Sequence, residues 1–342
     1  MKKPGIYILL KKRIPAIVVV MLGIIGAAAF IFAVSDKQTS ESEYRHLFAR
    51  SYQILLPEIP KEVSFADEEV PQDIFYVRES LDREILACTY MHSSTILMFK
   101  RAYRWFPLIE PILKKNGIPD DFKYIAVAES NFANVVSPSG AEGFWQFMKP
   151  TAQKYGLEVT DEVDERYHVE KATEAACRYF LDAYRNFGNW TLVAASYNRG
   201  MDGMSKALMN QKVQTYYDLF LNDETARYIY RIIASKLVYM HPVQYGFYLR
   251  ASDFYPPIPT YVITIDSSIS DLPQFALANR SNYRILRELN PWLKKYSLTN
   301  KTGKRYELVF PAEGFIHSDT LRKNLPVSKN FFHDTLRINQ IR

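Results

Sequence analysis

The sequence predicts a mainly α protein with one small β-α-α-β module near its carboxy terminus and a transmembrane helix at its amino terminus. Three observations carry this. Residues 14–34 contain no charged side chain, a run long enough to cross a hydrocarbon core of about 30 Å as a helix. From residue 74 to about 247, apolar positions recur at the helical spacing i, i+3, i+4, i+7. After Asp253 the texture changes to the proline-broken, β-branched stretch "FYPPIPTYVITI".

In chain order, residues 1–35 read as a cytoplasmic stub followed by a membrane anchor or a cleaved signal. The charged residues up to Val34 are Lys2, Lys3, Lys11, Lys12 and Arg13, and such a cationic stub stays in the cytoplasm. Everything after Val34 would then lie outside the inner membrane, in the periplasm, either inner-membrane anchored or exported after signal cleavage. These five cations also account for most of the net charge of +6. The rest is nearly neutral, with no basic stripe for nucleic acid. Residues 36–72 are polar and broken by Pro57, Pro60 and Pro71, and read as a stalk or wrapping segment.

Residues 73–253 read as an all-helical domain. Helices are expected at 74–90, 94–105 and 108–116, the last stopped by Gly117 before Pro119. Another is expected over 120–128, with Asp120 and Asp121 in its first turn. In 169–187, Ala172, Ala175, Ala176, Tyr179, Phe180, Ala183 and Phe187 form one stripe before Gly188. Helices at 192–198 and 223–239 complete the set. Residues 254–311 hold the module, with short helices at 271–278 and 283–289 between a strand near 260 and the strand "RYELVFP"; 312–342 form a tail. Cys88 and Cys177 lie among apolar neighbours in helical patterns, which suits buried thiols as well as a disulfide in an exported compartment. No Cys/His cluster has metal-ligand spacing, so no metal or other cofactor is expected.

One residue breaks the apolar pattern. Glu129, in "AVAESNFAN", shares a stripe with Phe122, Ile125 and Ala126. A glutamate is seldom buried without a partner, so it is either ion-paired or held with a raised pKa. Downstream come "SPSGAEGFWQFM" (137–148), "AASYNRG" (194–200) and "DETARYIYR" (223–231). Together they supply parts for glycoside chemistry. A carboxyl with raised pKa can protonate a leaving oxygen. Trp145, Tyr197 and Tyr228 offer ring faces to sugars, while Gln146 and Asn198 offer paired donors and acceptors. Taken singly, a Trp is usually core, a helical Tyr is usually packing, and an Asn before Gly is usually a cap.

The blocks "AESNF", "SPSGAEGFWQFM", "AASYNRG" and "ETARYI", in this order, resemble the signatures of the soluble-lytic-transglycosylase, goose-lysozyme-like superfamily. The wider run over about 72–250 resembles its membrane-bound lytic murein transglycosylase D group. The carboxy-terminal module is distantly similar to LysM-like tails. The resemblance implies a lysozyme-like catalytic domain that cleaves the β-1,4 bond between N-acetylmuramic acid and N-acetylglucosamine in peptidoglycan glycan strands without water, leaving a 1,6-anhydro ring. It implies Glu129 as the single acid/base. Ser137, Gln146, Tyr197, Asn198 and Tyr228 match the positions that line the sugar site. Two other functions are weighed. A hydrolytic muramidase would want a second carboxylate; Glu142, Asp161, Glu162, Asp164 and Glu165 are candidates, read as solvated or capping groups. A non-catalytic wall-binding scaffold is the other.

Overall fold

A computed structural model describes Arg45 and residues 54–323. The predicted membrane-crossing segment and most of the tail lie outside the described residues. Among the described residues no helix is long and apolar enough to cross a membrane. The chain divides into Met1–Leu56 and Pro57–Arg342. Of the first unit, Arg45 is helical and residues 54–56 are exposed and irregular.

The second unit opens with a two-stranded hairpin, β1 (Ser64–Phe65) and β2 (Glu68–Glu69). Eight helices follow: α1 (Phe75–Tyr90), α2 (His92–Lys115), α3 (Lys123–Ser130), α4 (Lys149–Lys154), α5 (Val169–Phe187), α6 (Trp190–Arg199), α7 (Met201–Gln211) and α8 (Asp223–Met240). Helix α8 packs against α1, α3 and α6, while α5 bridges α2 and α6.

The hairpin wraps rather than stands off as a stalk. Val63, Phe65, Ala66 and Val70 are buried in the same core as the helices. The Ala66 amide donates to Asp121 Oδ2 at 2.7 Å, and Glu68 accepts from the Trp190 and Thr191 amides at 2.6 and 2.8 Å. A carboxylate thus caps the start of α6, where helix amides lack partners of their own.

The two helices expected at 94–105 and 108–116 are one, α2, which runs through Pro107 and Pro111. Both prolines are exposed and sit four residues apart on the outer face, where water can reach carbonyls that lose their amide partners. The inner stripe of Phe99, Ala102, Phe106, Ile109 and Leu113 stays continuous and buried. The helix expected at 120 begins instead as a 3-10 turn, Asp120–Phe122, and becomes α3 at Lys123. Helix α5 follows its predicted span and ends at Gly188 in the left-handed conformation, φ 63°.

The carboxy-terminal module has the predicted order. Strand β3 (Thr260–Ile265) pairs antiparallel with β4 (Tyr306–Pro311), from Thr260 opposite Pro311 to Ile265 opposite Tyr306. Between them lie α9 (Leu272–Ala278) and α10 (Tyr283–Leu289), started by the side chains of Asp271 and Asn282. A short α11 (Ser318–Lys323) ends the described chain. The module's core, with Leu272, Leu286, Leu293 and Phe310, also takes in Val163 and Tyr167 from the helical part. Cys88 and Cys177 are both free thiols.

Candidate active site

Glu129 sits in the last turn of α3, whose C-cap Asn131 and following Phe132 are both left-handed, with φ 48° and 54°. This reversal turns the chain toward the 135–147 loop. Ser130 ties the two together, because its hydroxyl donates to the Phe144 carbonyl at 2.8 Å. Tyr228, on the facing side of α8, donates its hydroxyl to Glu129 Oε1 at 2.5 Å.

Glu129 keeps partial solvent access, yet its carboxyl is pushed from 4.5 up to about 7. The two facts fit a group crowded by protein that still meets solvent. Burial is the main cause. The Tyr228 hydrogen bond and the positive charge of Arg231 pull the value back down, and the negative charge of Glu224 pushes it up. Burial and the Glu129 charge hold the Tyr228 and Tyr197 hydroxyls protonated, so Tyr228 remains a donor. Among the described residues Glu129 Oε2 has no hydrogen-bond partner. One carboxyl oxygen is therefore held and the other is free to exchange a proton.

Residues 135–147 fold into a tight double bend, with Glu142 paired to both Val136 and Phe147. Ser137 closes the first bend through its amide to the Ala141 carbonyl at 2.8 Å, while its hydroxyl accepts from the Ala141 amide at 2.9 Å. Gly143 is at φ 80°, and an added Cβ would stand 2.0 Å from the Arg166 carbonyl oxygen. That position admits only glycine. Gln146, itself left-handed, donates its side-chain amide to the carbonyls of Val135 and Gly143 at 3.0 and 2.8 Å.

Two ring assignments are corrected by burial. The Trp145 ring is fully enclosed, and its indole N–H donates to Thr173 Oγ1 at 2.9 Å. It shapes the core beneath the loop and cannot offer a face to a sugar. The Tyr228 ring is 2% exposed, so its hydroxyl reaches the site and its face does not. Tyr197, half-buried on α6, donates to the Trp145 carbonyl at 2.7 Å. Asn198 donates to Glu224 at 3.1 Å and accepts from Thr225 Oγ1 at 2.9 Å, which joins the end of α6 to the start of α8.

Asp164 caps the Glu165–Tyr167 3-10 turn as expected, accepting from the Arg166 amide at 3.1 Å, and most of the candidate second carboxylates are engaged rather than solvated. Glu142 and Asp164 both pair with Arg166, at 2.9 and 2.7 Å. Glu165 pairs with Lys171 and Lys304, and Glu162 accepts from the Thr299 amide. Asp161 is exposed as read. Sequence reasoning missed Ser130, Arg166, Arg231 and Glu224, whose roles come from partners far along the chain. Among the described residues no three His, Cys, Asp or Glu side chains stand together as metal ligands. A cavity of about 440 Å³, lined by Lys154, Tyr155, Arg178 and Arg185 among others, includes none of the residues proposed from sequence.

The family described as "Transglycosylase SLT domain" matches residues 107–220. Over that span the chain is similar to an SLT transglycosylase domain. The matched span contains Glu129, Ser137, Gln146, Tyr197 and Asn198, whereas Tyr228 arrives from α8 beyond it. Residues 261–314 match the soluble lytic transglycosylase C-terminal LysM-like domain. The chain is 26% identical over 255 residues to membrane-bound lytic murein transglycosylase D of Escherichia coli K12, and equally to that of strain O6:H1. That alignment covers 73% of this chain and 54% of each relative, so the chain spans about half the length of the curated relatives it matches. An inactive mutant of the lytic transglycosylase Slt from Pseudomonas aeruginosa is 20% identical, with TM-score 0.35 over 41% of this chain and 24% of that one.

Proposed function

We propose that this protein is a peptidoglycan lytic transglycosylase of the cell envelope, with Glu129 as its single acid/base. The carrying observation is the Glu129 carboxyl, poised at about 7, with one oxygen held by Tyr228 and the other unbonded among the described residues. The SLT domain supports the reaction class. Protonated Glu129 donates to the oxygen between N-acetylmuramic acid and N-acetylglucosamine, and the C1–O bond breaks. The muramic acid 6-hydroxyl attacks C1, closing the 1,6-anhydro ring, and its proton goes to the Glu129 carboxylate. The acid is thereby regenerated. An intramolecular hydroxyl has a high effective concentration, so neither a protein nucleophile nor a bound water is needed.

Ser137, Gln146, Tyr197 and Asn198 shape the sugar site around this acid, and Tyr228 orients it. Glycan strands are the substrate, and the amino-terminal segment carries the membrane association. A muramidase needs a water-activating carboxylate. Glu224 is near enough for its charge to act on Glu129, but it is hydrogen-bonded to Asn198. Mass spectrometry of products from purified peptidoglycan tests the assignment. Muropeptides ending in 1,6-anhydromuramic acid are expected, and products with a reducing muramic acid end would replace the proposal by the muramidase.

A further inference from the structure

The carboxy-terminal module grips a segment that also builds the active-site loop. Within 158–168, Val163 forms an antiparallel bridge with Leu293. The Asp164 amide donates to the Trp292 carbonyl at 2.8 Å, and the Lys294 amide donates to the Glu162 carbonyl at 2.7 Å. Glu162 also accepts from the Thr299 amide at 2.8 Å, and Lys304 pairs with Glu158 and Glu165. On its other side the same segment presents Arg166, whose side chain is 5% exposed.

Arg166 is where the two halves meet. Its guanidinium donates twice to Asp164, at 2.9 and 2.7 Å, and pairs with Glu142 at 2.9 Å. It also donates to the carbonyls of Gly140 and Phe147, both at 3.2 Å. Its own carbonyl lies in the seat that only Gly143 can occupy. A planar guanidinium serves several acceptors at fixed angles, which an ammonium cannot do.

We propose that Arg166 is a positioning residue through which docking of the LysM-like module sets the shape of the 137–147 loop, so that the module braces catalysis independently of any glycan it binds. This rests on the functional reading above only where activity is measured. Asp164 is the coupling link, because its amide is held by the module while its carboxylate holds Arg166.

The test uses the full chain and two kinds of variant. Glu162→Ala with Lys304→Ala loosens the seam from outside either core. Arg166→Lys keeps the charge and loses the fork. Hydrogen exchange at the Gly140, Glu142, Gly143 and Gln146 amides is read together with kcat and KM. Both variants are expected to speed exchange at these amides. They should lower kcat by about tenfold, in keeping with small misplacements of catalytic groups, with KM little changed and the alkaline limb of the pH profile unmoved. Combining the variants should give little further loss. If the seam variant leaves exchange in this loop at the wild-type rate, the brace is overturned, even if Arg166→Lys fails to fold. Faster exchange with no activity in wild type would sustain the brace and remove the functional reading instead.

Discussion

Two adjacent residues of α8 serve two glutamates, one buried and one partly so, in opposite ways. Arg227 faces α1 and holds Glu84, with Nε 2.7 Å from Oε1. Tyr228 faces α3 and holds Glu129 through a neutral hydroxyl. Glu84 is 2% exposed and is also paired with Arg83. Both carboxyls lie on helices, and both are enclosed by protein on most sides. Matched by full positive charge, Glu84 serves as a strut. Among the described residues Glu129 is hydrogen-bonded only by a phenol, with the Arg231 charge acting on it, so burial dominates and its proton affinity rises. The partner, more than the depth, separates a carboxylate braced by ion pairs from one left with a raised proton affinity.

The largest expected effect breaks the reactive side of this pair. Glu129→Gln should lower turnover by about 10³-fold or more, the scale of an essential acid/base, in a peptidoglycan digestion assay. It should also stabilise the fold at alkaline pH. The folded carboxyl binds its proton more tightly than the unfolded one, at about 7 against 4.5. Its contribution is therefore fully present below about pH 4.5 and is lost as the pH rises through about 7. Denaturant unfolding at pH 8 should show the variant up to about 3 kcal/mol more stable than wild type. Equal stability at that pH would mean that the carboxyl is not strained by burial.

Breaking the structural side should do the reverse. Glu84→Ala strips Arg227 and Arg83 of a shared buried partner and should cost about 2 kcal/mol in unfolding free energy, the scale of lost charge-assisted hydrogen bonds. The turnover of the folded fraction should stay near wild type. Tyr228→Phe sharpens the contrast by removing the bond that favours the charged form of Glu129. The alkaline limb of the pH–rate profile should move above about 7, and kcat should fall about tenfold. A smaller effect comes from Glu68→Ala, which uncaps α6 at the Trp190 and Thr191 amides. It should cost about 1 kcal/mol, read as a lower Tm with the pH profile unchanged.

The contrast also marks what sequence could reveal. Glu129 was visible because a charge interrupted an apolar stripe, and the loop was visible from its glycines and Gln146. Helices α5 and α10 followed their spans because periodicity and caps are local. Glu84 gave no such signal, since its meaning depends on Arg227, 143 positions away. Trp145 was misread for the same reason, as nothing near it in sequence says that Thr173 closes over its nitrogen. Helix α2 was cut in two because local rules stop a helix at proline, whereas burial of the opposite face carries it through. Arg166 was invisible as a hub because its acceptors come from both sides of a loop.

The one-sided grip on Glu129 also bears on inhibitor design. An amidinium wants both oxygens of a carboxylate at once, and here one is already taken by Tyr228. A ligand that brings a single ammonium or iminium to Oε2 meets no such competition. Its grip should strengthen as the medium becomes alkaline enough to strip the proton from Glu129, up to the point where the ligand's own cation is lost.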